Sequence, residues 1–308
     1  MIVEVKNLVK RYDRLVALDH ININVMEGEV FGLLGPNGSG KSTLINCILS
    51  LAKYDKGFVR VFNQEMNMEA YTIKRDIGVV MQDIGIFREL TVYENIQYFC
   101  SLYIKDINEV KERTEEVIKL LVLEDFQTFL PKKLSDGLLR RVNIACGIVH
   151  KPKLIFMDEP VLSADPYSRT IIFDVIRNLN DQGNTIIYAT HSIEEVEQLC
   201  TRIAMVDKGR IIASGSKDEL KAMISLGEKI TLEVYKLTEK EINELLEIPS
   251  ISDLQYKNNI LEIRSKKGRN NLIHVLDYVT KHGLNVGKIY TELPTLNDVF
   301  LEITGKDI

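Results

Sequence analysis

Gly35-Pro36-Asn37-Gly38-Ser39-Gly40-Lys41-Ser42 concentrates three glycines, a lysine and two hydroxyls in one short segment. Its spacing is G-x-x-x-x-G-K-[ST], that of a phosphate-binding P-loop. Glycines let successive backbone N–H groups turn inward around phosphate oxygens. A helix that follows adds unpaired donors and a partial positive charge at its N-terminus. The residues expected against nucleotide are Gly35, Pro36, Asn37, Gly38, Ser39, Gly40, Lys41, Ser42 and Thr43. Lys41 is placed to reach the β and γ phosphates, and Ser42 to hold Mg²⁺. The plainer reading is a glycine-rich turn between a core strand and a helix. The flanks favour the phosphate site: apolar Val30–Leu34 comes before it and helix-like Thr43–Leu49 after it.

A second group of residues completes that chemistry. Lys153-Leu154-Ile155-Phe156-Met157-Asp158-Glu159-Pro160 reads as an apolar strand ending in two carboxylates. Asp158 at the strand end can bind Mg²⁺ through water. Glu159 is suited to polarising an attacking water. Adjacent strand side chains diverge, but a chain leaving the sheet can aim both at one phosphate. The alternative is a pair of exposed strand-end acids, which the upstream loop disfavours. The strand Thr185–Thr190 ends on His191.

The elements that must hold these groups alternate between strand and helix. Strands are expected at 2–6, 16–25, 30–34, 58–62, 76–82, 153–158, 185–190, 202–207 and 210–213. Lys10-Arg11-Tyr12-Asp13 reads as a polar connection between the first two. Helical periodicity dominates 92–129, and further helices are expected at 135–149, 167–180, 193–200 and 217–225. This alternation indicates an α/β domain with a mainly parallel central sheet. The composition changes near Leu226-Gly227-Glu228. Beyond it, strand 229–236, helix 238–247, strands 250–256 and 260–265, helix 269–281 and strand 284–291 follow the β-α-β-β-α-β order of a ferredoxin-like unit. A last helix, 295–304, starts on Thr295 with Asp298 three residues on. This second part carries no catalytic constellation and reads as a small packing or dimerisation domain.

The 308 residues suit two domains. Hydrophobic content of 45% and charged content of 27% supply a core and a hydrated surface. The net charge is −5 and no long basic tract occurs, which argues against a nucleic-acid partner. Cys47, Cys100, Cys146 and Cys200 are scattered and form no ligand pattern, as expected of reduced buried thiols. The start Met1-Ile-Val-Glu-Val-Lys has no signal-peptide shape, and no run of about 18 apolar residues occurs. A membrane role therefore requires a partner.

The ordered set of motifs over about residues 1–220 resembles the nucleotide-binding subunit of an ATP-binding cassette (ABC) transporter. The fold implied is a P-loop NTPase cassette, α/β with a mainly parallel sheet core and a helical subdomain. A small α+β ferredoxin-like C-terminal domain completes it. Domains are expected at 1–226, with the helical subdomain at about 85–150, and at 227–308. The resemblance places Tyr12 on adenine, Gln82 at Mg²⁺ and at the relay to a membrane partner, and His191 at the γ phosphate. Leu134-Ser135-Asp136-Gly137-Leu138 holds the signature position and Ser163-Ala164-Asp165 the D-loop. Taken singly, Tyr12, Gln82 and His191 have structural readings; their shared order carries the assignment. The implied catalytic set is Lys41, Glu159 and His191, and the implied metal set is Ser42, Gln82 and Asp158, with ATP and Mg²⁺ bound.

In this family two cassettes close head to tail, each ATP lying between one P-loop and the other chain's signature segment. Ser135 and the amides near Gly137 would meet the partner's ATP. The implied partners are ATP, a second cassette (identical or not) and a membrane permease, with residues 83–100 lying beside the helical subdomain and forming the groove for the permease's cytoplasmic helices. The implied location is the cytoplasmic face of a membrane, reached through that permease. The ending Pro294–Gly305 resembles exporter-type cassettes of drug-resistance and sodium-efflux systems.

The signature departs from the usual L-S-G-G-Q: Asp136 replaces a glycine and Leu138 the glutamine. Two like charges about 5 Å apart at an effective dielectric of about 20 repel by roughly 3 kcal/mol before screening. Asp136 therefore either weakens the ATP sandwich or points to solvent and only caps its helix. A regulatory, weakly hydrolysing ATP-binding module is the alternative that Asp136 and Leu138 support and that intact Lys41, Asp158 and Glu159 oppose. A cassette ATPase acting on ribosomes or DNA is opposed by the acidic balance.

Overall fold

The structure is a computed structural model that describes residues 1–224, 226–249, 251–266 and 271–306. Contacts divide the chain into two compact units, Met1–Ser216 and Lys217–Ile308. The first unit begins β1 (Val3–Tyr12), β2 (Leu15–Val25), β3 (Val30–Leu34), α1 (Lys41–Ile48), β4 (Lys56–Val61), β5 (Gln64–Glu65), α2 (Tyr71–Lys74) and β6 (Ile77–Val80). Helices α3 (Val92–Ser101), α4 (Ile107–Leu120) and α5 (Asp136–Ile148) follow in succession. The unit ends with β7 (Leu154–Asp158), α6 (Pro166–Asp181), β8 (Thr185–Thr190), α7 (Ile193–Leu199), β9 (Arg202–Asp207) and β10 (Arg210–Ser216).

Two sheets form this unit. The larger has the order β10-β9-β3-β8-β7-β6. Its pairs are parallel except β9 with β10. Every residue of β3, β7 and β8 is buried, as expected where both faces of a parallel sheet are covered. The smaller sheet, β2-β1-β4-β5, is antiparallel. Leu44, Ile45 and Ile48 of α1 bury between the two sheets with Phe31, Leu33, Phe156 and Val59.

Register brings the chemistry together. Leu34 pairs with Thr190, and Asp158 with Ala189, so β3, β7 and β8 end at one level. The loop after β3, the carboxylates after β7 and the histidine after β8 thus leave the same sheet edge, where open α/β sheets bind ligands.

The second unit comprises α8 (Lys217–Met223), β11 (Leu226–Val234), α9 (Glu239–Leu246), β12 (Ile251–Lys257), β13 (Ile260–Lys266), α10 (Leu272–Lys281), β14 (Val286–Glu292) and α11 (Leu296–Thr304). The sheet order β12-β13-β11-β14, antiparallel throughout, is that of the expected ferredoxin-like unit. Ile230, Leu232, Leu261, Ile263 and Val275 form its core. Thr295 caps α11 in a reciprocal box with Asp298, as its sequence indicates. Helix α8 packs against α11, so the contact boundary falls ahead of residue 226.

Some local expectations change. Lys10–Tyr12 is strand, not connection: Tyr12 pairs with Leu15 across a two-residue turn in which Asp13 takes φ 49°. The 92–129 region holds two helices and a short 3₁₀ turn at Glu124–Phe126, because Asp106 caps and starts α4 afresh. The expected starts at Ser250 and Arg269 and the expected end at Ser225 lie outside the described residues.

Candidate functional site

Helix α1 begins with its first turn open. Gly40 caps it at φ 110° with no side-chain hydrogen bond, and no acidic residue occupies its first turn. Four backbone N–H groups at such an end lack intrahelical partners. Gly38 also lies at positive φ, 78°, where a side chain would be strained. The loop is clamped from outside: the Gly35 amide donates to the Thr190 carbonyl at 3.3 Å and the Gly209 amide to the Ser39 carbonyl at 2.8 Å. A Cβ on Gly35 would stand 2.1 Å from the Val206 carbonyl oxygen, so only glycine fits there.

Lys41 is buried and folds back over its own loop. Its Nζ donates to the Gly35 carbonyl at 2.7 Å and the Pro36 carbonyl at 3.2 Å, and lies 4.0 Å from Glu159 Oε1. Burial lowers its pKa, and the Glu159 and Asp158 charges pull it back up. Asp158 is buried beside it; burial raises its carboxyl pKa, against a hydrogen bond from Ser42. Asp158 Oδ1 has no hydrogen-bond partner among the described residues. An orphaned buried carboxylate oxygen next to a serine hydroxyl fits a hard divalent cation with oxygen ligands.

Glu159 leaves β7 at φ 49° and turns toward β8. Its Oε1 lies 2.8 Å from His191 Nδ1, and Thr190 Oγ1 is 3.4 Å from its Oε2. A cavity of about 640 Å³ brings together Tyr12, Asn37, Gly38, Gly40, Lys41, Ser42, Thr43, Gln82, Asp158 and Glu159. Tyr12 is half exposed, with Lys10 Nζ 4.4 Å from its ring centroid. A larger hollow of about 710 Å³, beside α4 and α6, contains none of these groups.

Ser135 and Gly137 do not line this cavity. Ser135 caps α5, accepting from the Leu138 amide at 3.3 Å, and Asp136 is exposed in the first turn. Gly137 is buried: a Cβ there would lie 2.2 Å from Asp165 Oδ2 and 2.5 Å from Ser168 Oγ. Asp165 in turn caps α6 through the Ser168 amide at 2.9 Å.

The sequence reading missed several groups. Lys208 and Gly209, in the turn between β9 and β10, complete the cavity wall; the only signal was a Lys-Gly turn between two short strands. Buried Glu195 accepts from Tyr188 Oη at 2.9 Å and Thr190 Oγ1 at 2.8 Å, behind Glu159. Buried Arg140 reaches the Gln82 and Leu162 carbonyls. Nothing local in the sequence distinguishes either from a charge on a solvated helix face.

Residues 18–162 match the family described as ABC transporter, and residues 215–304 match ATP-binding protein DrrA1-3-like, C-terminal domain. The linearmycin resistance ATP-binding protein LnrL of Bacillus subtilis (strain 168) is 33% identical over 307 residues, 99% of each chain. The chain belongs to the ABC transporter family, as an ATP-binding subunit. The daunorubicin/doxorubicin resistance ATP-binding protein DrrA of Streptomyces peucetius is 40% identical over 228 residues, 74% of this cassette chain and 68% of that one. A dimeric, post-hydrolysis structure of the ATP-binding cassette MJ0796 with ADP and Pi matches with a TM-score of 0.65 at 31% identity. It covers 70% of this chain and 98% of its own. The cassette is thus an ATPase subunit, and nothing in these likenesses favours the regulatory alternative.

Proposed function

We propose that this ATPase is the MgATP-driven motor of an exporter, closing on a second cassette and acting through a separate membrane permease. The observation that carries the reading is the pairing of an open α1 N-terminus with buried Lys41, beside Glu159 and a buried Asp158 oxygen left without a partner. The phosphates of ATP lie against the amides of Gly38–Thr43, and Lys41 exchanges its loop carbonyls for β and γ oxygens. Tyr12 stacks on the base. Ser42, Asp158 and Gln82 would hold Mg²⁺, directly or through water, and such an ion would supply charge neutralisation at the phosphates. Glu159 orients and deprotonates the attacking water, while His191 holds that carboxylate and reaches the γ phosphate.

Ser135 and the first amides of α5 serve the ATP of the other cassette, consistent with their absence from the Lys41 cavity. The names of the relatives, among them two resistance proteins and Nod factor export ATP-binding protein I, support export over import. Exposed Phe87, Tyr98, Leu102 and Ile107 offer an apolar surface on the helical part for permease helices. Among the described residues no helix is long and apolar enough to cross a membrane. Attachment to the cytoplasmic face therefore goes through the permease.

The test is the mass of purified Glu159→Gln protein with and without MgATP. A dimer that forms only with MgATP supports a self-sufficient homodimeric motor. A monomer that still binds ATP shows that a permease or a different cassette must complete the sandwich.

A further inference from the structure

We infer that Arg140 is a positioning residue for hydrolysis, tying the Gln82 turn to the loop that carries Glu159. Arg140 is buried one turn into α5. Its Nη1 donates to the Gln82 carbonyl at 2.5 Å and its Nε to the Leu162 carbonyl at 3.1 Å. The Leu162 amide donates in turn to the Glu159 carbonyl at 3.2 Å. One planar guanidinium therefore fixes two loops that meet at the reacting phosphate, and its rigid fork sets their separation.

The Glu159 loop needs such support. Glu159 and Ser163 lie at φ 49° and 61°, a conformation that surrounding contacts must hold. The Gln82 turn is gripped by α5 a second time: Asn143 Nδ2 donates to the Met81 carbonyl at 3.4 Å, and its Oδ1 accepts from the Gly85 amide at 3.0 Å. Burial lowers the pKa of the guanidinium, and the nearby charges of Asp136, Asp83 and Glu159 oppose this in part. Cation and acceptors are thus matched across three segments: the start of α5, the Gln82 turn and the Glu159 loop. A shift of the Gln82 carbonyl is transmitted through Arg140 to Leu162, and from there to Glu159.

This inference rests on Glu159 acting on the attacking water, so the experiment includes that residue. ATPase kinetics are measured on the full chain carrying Arg140→Lys, Arg140→Ala or Glu159→Gln, alongside fluorescent-ATP binding. Arg140→Lys keeps the charge but not the fork; its kcat falls about tenfold while ATP affinity stays within about twofold. Arg140→Ala is slower still, and added millimolar guanidinium restores part of its rate without stimulating the parent. Parental kcat in both Arg140 variants, with Glu159→Gln inactive, overturns the inference alone. So does a loss of rate that guanidinium does not restore and that an equal loss of ATP affinity accompanies. Parental hydrolysis by Glu159→Gln overturns the assignment of Glu159 and the inference with it. If Arg140→Ala does not fold, Arg140→Lys decides.

Discussion

His191 Nδ1 lies 2.8 Å from Glu159 Oε1, joining the residue that follows β8 to the one that follows β7. The imidazole fixes one carboxylate oxygen, while among the described residues Oε2 meets the more distant Thr190 hydroxyl, at 3.4 Å. Removing the carboxylate charge should remove the base without removing the phosphate site. Glu159→Gln should lower kcat by about 10²–10⁴-fold with ATP affinity retained, and His191→Ala by about 10²-fold. Phosphate release under saturating MgATP checks both; a parental rate in Glu159→Gln refutes its role.

The buried Lys41 ammonium is held over the Gly35 and Pro36 carbonyls, where the proposed phosphate site would take it up. Lys41→Ala should cost about 10- to 10²-fold in ATP affinity, in line with charge-assisted contacts worth about 1.5–3 kcal/mol. Equilibrium binding of a fluorescent nucleotide reads this directly. Binding at parental affinity would mean that the loop amides alone hold the nucleotide.

Asp158 behaves oppositely in the free protein. Burial raises its folded-state pKa above the unfolded value, so its stabilising, protonated form is present at low pH and lost as pH rises through the folded value. At about pH 7.5 the ionised group is a net cost. Asp158→Asn should therefore raise the melting temperature of the nucleotide-free protein. It should also abolish the Mg²⁺-dependent part of the stabilisation given by ATP. A lower melting temperature without nucleotide would show that the charge is compensated by Lys41.

Much of this site was legible in the sequence because phosphate chemistry restricts residue types and order. Gly35–Ser42, Asp158, Glu159 and His191 could be read without structure, and the mostly apolar β3, β7 and β8 marked the strands that end beside them. What stayed hidden depends on through-space partners. Arg140 and Glu195 lie on helices of mixed composition, and nothing local distinguishes a buried charge there from a hydrated one. Gly209 clamps Ser39 across a long sequence separation, visible only once β9 lies beside β3. Lys10–Tyr12 alternates too weakly to read as strand, because its outer face meets solvent.

Two neighbours in the signature segment should respond differently. Asp136 is exposed, whereas Gly137 is packed against the Asp165 and Ser168 side chains. Asp136→Gly removes a negative charge from the turn that would meet the other cassette's γ phosphate, and should raise the cooperative ATPase rate by severalfold to about tenfold. Gly137→Ala inserts a methyl where no space exists and should loosen the Asp165 cap of α6, costing about 0.5–2 kcal/mol of stability. Rate against ATP concentration tests the first, and a thermal melt the second. An unchanged rate in Asp136→Gly would leave that carboxylate a helix-start residue with no effect on the sandwich.

His150 should give the cassette a pH dependence of stability independent of its chemistry. The ring is buried, stacked on Tyr103 with centroids 3.9 Å apart, and Nε2 donates to the Ile77 carbonyl at 3.1 Å. Nδ1 has no partner among the described residues, so a second ring proton would be left unsatisfied. Burial holds the pKa below 6.5; the Ile77 bond and Asp76 raise it, and the Arg113 cation lowers it. Between the two values the unfolded chain binds the extra proton, so stability falls as pH drops through about 6.5 and is complete above it. Each pH unit in that window is worth up to about 1.4 kcal/mol, or about 2–4 °C in melting temperature. His150→Phe keeps a ring against Tyr103 and loses the Ile77 bond. It should melt lower than the parent at about pH 8, with a shallower decline toward about pH 5.5. Parallel melting curves for the two proteins across that range would place the acid sensitivity elsewhere.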